Sequence, residues 1–75
     1  MFSDADLLRI VKAAVARDHA GFQLDTIERP KKRGGRWEVT CTYSVGPDES
    51  RYRRTLTIDE SGRVLAESDE EPVDL

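Results

Sequence analysis

The side chains able to do chemistry are few and far apart. There is one histidine, His19, and one cysteine, Cys41. A nucleophilic thiol needs a base beside it, a general base needs a positioned nucleophile, and a metal ion needs several ligands at suitable spacing. A His19–Cys41 pair is the only arrangement of that kind the chain offers, and each residue has an ordinary reading. His19 follows Asp18 at the end of a helical pattern, where an imidazolium favours the negative helix terminus. Cys41 alternates with Val39 and Tyr43 and reads as a small buried hydrophobe. The adjoining carboxylates Asp59 and Glu60 sit in "DESG" and read as turn formers. No catalytic, cofactor-binding or metal-ligating residue is therefore assigned, and the chain is not expected to be an enzyme.

Binding chemistry is concentrated in "ERPKKRGGRW", where Arg29, Lys31, Lys32, Arg33 and Arg36 surround one proline and two glycines. With Arg51 and Arg53 on the matching face of a later strand, these seven residues form the candidate interaction set. One reading is a solvated hairpin loop whose charges keep an exposed edge soluble. The other is a nucleic-acid surface, since clustered Lys and Arg neutralise phosphates and release counterions. Against the second stand an isoelectric point near 5.1 and the inward parity of the sheet aromatics, which leaves no stacking platform outside.

The formal net charge of −3 conceals a division along the chain: −2 over residues 1–28, +5 over 29–54 and −6 over 55–75. A basic middle and an acidic end can neutralise each other within one molecule or between two. With 75 residues there is room for one small core, to which Phe2, Phe22, Trp37, Tyr43 and Tyr52 are expected to contribute. The lone Cys41 excludes an internal disulfide, and "MFSDADLLRIVK" lacks the basic head and continuous apolar run of a secretory signal, so the expected compartment is the cytoplasm. No window approaches the apolar length of a membrane helix, about 20 residues.

The elements that must position these groups follow from periodicity. Leu7, Leu8, Val11, Ala14 and Val15 recur at helical spacing, with Ser3 or Asp4 as cap and Gly21 as left-handed stop, which predicts a helix over 4–20. The period then changes to two. "RWEVTCTYSV" puts Trp37, Val39, Cys41, Tyr43 and Val45 on one face; "RYRRTLTI" puts Tyr52, Leu56 and Ile58 inward. Arg54 shares that inward parity and is expected at the sheet margin with its guanidinium in water. "GPDES" and "DESG" are hairpin turns, the latter leading to a short strand at "RVLAE"; "FQLDTIE" is a further strand and "RPKKRGG" a loop. The expected fold is α+β: one N-terminal helix packed on a three- to four-stranded antiparallel meander, a single domain over 1–67. Residues 68–75 form an acidic tail, expected to be disordered, whose alternative is a tethered anion folded back on basic residues.

The pattern running from "HAGF" through "RWEVTCTY" to "YRRTLTIDESGRVL" resembles the small PepSY domains, with a helix, a strand opening on W-x-V, and a strand and turn near V-x-I-D-x-x-G-x-V. The resemblance covers about residues 5–67. It implies a helix-covered meander and a role in peptidase propeptides, inhibition or binding, in a family usually exported or membrane-attached. The functional expectation is a small non-enzymatic module that binds a protein or peptide, with homodimerisation through an open sheet edge; the alternative is a nucleic-acid-binding domain using Arg29, Lys31, Lys32, Arg33, Arg36, Arg51 and Arg53.

Overall fold

The protein was analysed as a computed structural model that describes residues 3–73. Phe2, expected in the core, and the last two residues of the acidic tail, 74–75, lie outside the described residues. Helix α1 spans Asp4–Asp18 and is followed by strands β1 (Gln23–Ile27), β2 (Lys31–Arg33), β3 (Arg36–Val45), β4 (Ser50–Asp59), β5 (Val64–Glu67) and β6 (Glu71–Pro72). The fold is α+β, as the periodicity requires.

α1 begins with a reciprocal cap: the Asp6 amide donates to Ser3 Oγ at 3.1 Å, and the Ser3 amide to Asp6 Oδ2 at 3.2 Å. It ends two residues before the expected boundary. The His19 amide still reaches the Val15 carbonyl at 2.9 Å, but His19 itself, at φ −137° and ψ 88°, has left helical geometry, and Gly21, at φ +81°, turns the chain into β1. Leu7, Val11, Ala14 and Val15 are buried. Leu8 is not: it is 39% exposed, because one residue is about 100° of helix rotation and carries it off the buried stripe to the side of Phe22 and Leu24.

The six strands among the described residues make four lanes. β1 and β2 lie end to end along β3, interrupted near Pro30, which has no amide hydrogen to donate to a ladder. β5 and β6 lie end to end along β4. The strand count therefore exceeds the expected three or four while the layout matches it. All pairings are antiparallel. The central pair, β3 with β4, runs in unbroken register from Arg36↔Asp59 to Val45↔Ser50. β2 corrects the expected loop at "RPKKRGG": Gly34, at φ +62°, takes the first central position of a two-residue turn, so Lys31–Arg33 double back on Arg36–Glu38.

α1 lies against one face of the sheet, where Val39, Cys41, Tyr43, Leu56 and Ile58 join its buried residues. Phe22, Leu24, Trp37 and Tyr52 pack around this core half-buried; Trp37 is thus a core margin rather than a core centre. The helix begins near Ile27–Pro30 and ends near Arg54 and Glu67–Glu70, so it crosses from the β1–β2 lane to the β5–β6 lane. Among the described residues no helix is long and apolar enough to cross a membrane.

The last segment departs from the expected disordered tail. The Ser68 amide donates to the Thr55 carbonyl and the Val73 amide to the Arg51 carbonyl, both at 2.9 Å, so residues 68–73 run along β4. Between the pairs Leu56↔Glu67 and Arg53↔Glu71 the tail takes four steps against three on β4. The extra residue makes a bulge opposite Arg54.

Candidate functional site

The seven candidate interaction residues do not form one patch. By strand register Lys31, Arg33 and Arg36 lie at one end of the face turned away from α1, and Arg51 and Arg53 at the other. Arg36 pairs with Asp59, six positions along β4 from Arg53, a separation of about 20 Å. Between the two groups lies a threonine pair, Thr40 Oγ1 and Thr55 Oγ1, hydrogen-bonded at 3.0 Å. Lys32 has the opposite parity, with its Nζ 5.6 Å from the centre of the Trp37 ring. Arg29 precedes β2, beside Asp4, Leu7 and Pro30.

The outward cations also face carboxylates. Arg33 pairs with Glu38, and Arg51 Nε lies 3.0 Å from Asp25 Oδ2, which also accepts from Ser44 Oγ at 3.0 Å. That Arg51 contact is a charge pair without hydrogen-bond alignment. Lys31 stands opposite Glu38, Arg36 opposite Asp59, and Arg53 opposite Glu71. The face is mixed in sign at both ends, so its field falls off faster than that of an unbroken basic stripe.

The concentrated polar chemistry lies on the helix side of the sheet. Arg54, whose guanidinium was expected in water, is 6% exposed. Parity sends it inward between Tyr52 and Leu56, and the end of α1 and the tail bulge close over it. Its Nη1 meets Asp18 Oδ2 at 2.9 Å and Glu67 Oε1 at 3.2 Å, and its Nη2 meets Glu70 Oε1 at 2.8 Å. Arg17 extends the network by pairing with Glu67. The guanidinium carbon lies 5.9 Å from the centre of the Tyr43 ring. Arg54 Nε has no hydrogen-bond partner among the described residues.

Glu70 is the focus of this cluster. Its Oε1 accepts from Tyr43 Oη at 2.5 Å and from Arg54 Nη2, and it lies 2.5 Å from His19 Nε2. An ionised carboxylate only accepts, so the imidazole nitrogen facing it is the donor. Burial alone would raise the Glu70 carboxyl; the hydrogen bonds from Tyr43 and His19 and the charge of Arg54 outweigh it and hold the group below the usual carboxylate range. Burial, together with the Glu70 contact, raises the Tyr43 phenol well above its ordinary value. For Arg54, burial works against the charged form, but the Asp18 hydrogen bond and the neighbouring acidic groups leave it more firmly protonated than usual. His19 also stacks on Tyr52, with rings 6.2 Å apart and 4° from parallel.

Cys41 is fully buried; its Sγ donates to the Arg54 carbonyl at 3.6 Å, and burial pushes the thiol up. A neutral, enclosed thiol is a poor nucleophile, and the imidazole is engaged by Glu70. Asp59 is a turn former, as expected: its Oδ1 accepts from the Ser61 and Arg63 amides at 2.9 and 3.0 Å.

Sequence reasoning missed Asp18, Glu67 and Glu70 as partners of Arg54. The signal present was an arginine on inward parity, which requires counter-charges that local pattern does not name. No family model, curated protein or solved structure matches the chain.

Proposed function

We propose that the chain is a small non-enzymatic interaction module that binds a protein partner through the sheet face turned away from α1. The observation that carries this reading is that, among the described residues, no element covers this face, and its side chains are ordered by type along the strands. Thr40, Thr42, Thr55 and Thr57 form a half-exposed centre, with charges of both signs at each end. Such a centre is inexpensive to desolvate, and the flanking charges give orientation. The resemblance to PepSY domains read from "RWEVTCTY" and "YRRTLTIDESGRVL" agrees with a binding role. The same proposal places the chain in the cytoplasm, where its unpaired thiol would remain reduced. It also allows two copies to meet along the outer edge of the β1–β2 lane.

Capture with the intact chain, repeated with Thr55→Lys, tests the reading. A protein partner held by wild type and lost with Thr55→Lys supports it. Capture that is insensitive to Thr55→Lys, or that disappears on nuclease treatment, overturns it. In the second case nucleic acid is the ligand, and binding should weaken linearly on a log-log salt plot.

A further inference from the structure

We propose that Arg54, Tyr43 and His19 form a receptor for an acidic, extended peptide, and that residues 68–73 occupy it as an internal stand-in for that ligand. This site is on the helix side of the sheet, apart from the outer face invoked above. Three donors from separate elements, the end of α1, β3 and β4, converge on one oxygen, Glu70 Oε1. Such convergence is the signature of a carboxylate site rather than of a chance surface ion pair.

The receptor is held in place independently of its occupant. Arg54 Nη1 is anchored by Asp18 and Glu67, Tyr43 is fully buried in the core, and the His19 ring rests on Tyr52. If Glu70 left, Arg54 Nη2, Tyr43 Oη and His19 Nε2 would all lose their shared acceptor at once. Buried donors without acceptors are costly, so the vacated pocket would favour another carboxylate. Arg54 Nε, enclosed and without a partner among the described residues, already adds to that demand.

Outside Glu70 the occupant is, by contrast, lightly held. Ser68, Asp69, Glu71 and Pro72 are exposed, β6 is two residues long, and Pro72 has no amide hydrogen for the ladder. Its backbone bonds to β4, Ser68 amide to Thr55 carbonyl and Val73 amide to Arg51 carbonyl, are those of a strand added to a sheet edge, and the Ser68 hydroxyl accepts from the Thr55 amide in place of a carbonyl. A separate peptide could reproduce this whole set, with main-chain pairing to β4 giving affinity and one glutamate giving specificity. The ligand class is therefore an extended acidic segment able to form the same bulge. Because the resident glutamate is tethered, it competes at an effective concentration on the order of millimolar, and a successful ligand must exceed that.

The test uses all 75 residues of the chain and a fluorescently labelled peptide, SDEEPVDL, followed by anisotropy. Glu70→Ala, its fold checked by circular dichroism, should bind the peptide at least about tenfold more tightly than wild type, because the internal competitor is gone. Adding Tyr43→Phe should weaken that binding, as should placing Gln at the glutamate that matches Glu70. Equal binding of the Glu and Gln peptides, equal binding of a scrambled peptide of the same composition, or no binding to folded Glu70→Ala overturns the proposal. Should Glu70→Ala lose its fold, wild type can be titrated with peptide to several millimolar while the His19 ring proton resonances are followed. A saturable shift with the Glu peptide and none with the Gln peptide supports the proposal, and any other outcome overturns it.

Discussion

Replacing Arg54 by methionine keeps most of the buried stem and removes the guanidinium, leaving Asp18, Glu67 and Glu70 without their shared cation. Removing one partner of a fully buried ion pair costs about 3–5 kcal/mol, because the abandoned charge stays buried. Here the abandoned carboxylates have some recourse to water: the side chains are 47% exposed for Asp18, 22% for Glu67 and 24% for Glu70. The expected cost is therefore lower, about 2–3 kcal/mol. A domain of this length is worth about 4–11 kcal/mol in total, and its melting temperature should fall by about 10–20 °C. The assay is thermal melting by circular dichroism at pH 7 and pH 4.5, with Arg53→Met as control. Arg53 is the outward neighbour, and its substitution should change stability by about 0.5 kcal/mol or less. In Arg54→Met the Glu70 carboxylate, no longer held down by the guanidinium charge, should bind a proton more readily than in wild type, so the deficit should be smaller at pH 4.5 than at pH 7. A melt within about 2 °C of wild type at pH 7 would show that the guanidinium is not buried among these acids. A deficit of equal size at both pH values would assign the loss to packing instead.

Glu70 has a folded pKa below its unfolded value, so its contribution is present above about pH 4.3 and is lost as pH falls through the folded pKa; an acid titration of wild type should contain a step that Glu70→Gln lacks. Trp37→Ala should cost about 2 kcal/mol, less than the about 3–5 of a fully buried aromatic, since Trp37 is half-exposed at the core margin; an unchanged melt would remove it from the packing altogether. Cys41 should react with a thiol reagent about a thousandfold or more slowly in the folded chain than in denaturant, because the enclosed thiol becomes accessible only on opening; comparable rates would refute its burial. Ser3→Ala should cost about 1 kcal/mol through loss of the capping box, measurable as a lower melting temperature with an unchanged fold.

The sequence by itself determined what depends on short-range period and turn chemistry. The alternation from Arg36 to Val45 marks β3 to the residue, because each step reverses the side-chain direction and a slip would expose the whole apolar set. The stripe through Leu7, Val11, Ala14 and Val15 marks the helix, and the positive φ at Gly21 and Gly62 occurs where the turns were expected. The inward parity of Arg54 was equally legible. What covers it was not, since its partners come from 36 positions upstream at Asp18 and from 13 and 16 downstream at Glu67 and Glu70. Only the diagonal path of α1 and the bulge opposite Arg54 bring them together, and neither leaves a periodic trace. The same holds for β2 and β6. Each is too short to show an alternation of its own, and each exists because a long neighbouring strand offers unpaired backbone groups at its edge. A tail with too few apolar residues to fold alone is ordered by tertiary contact, through one buried cation and the open edge of β4.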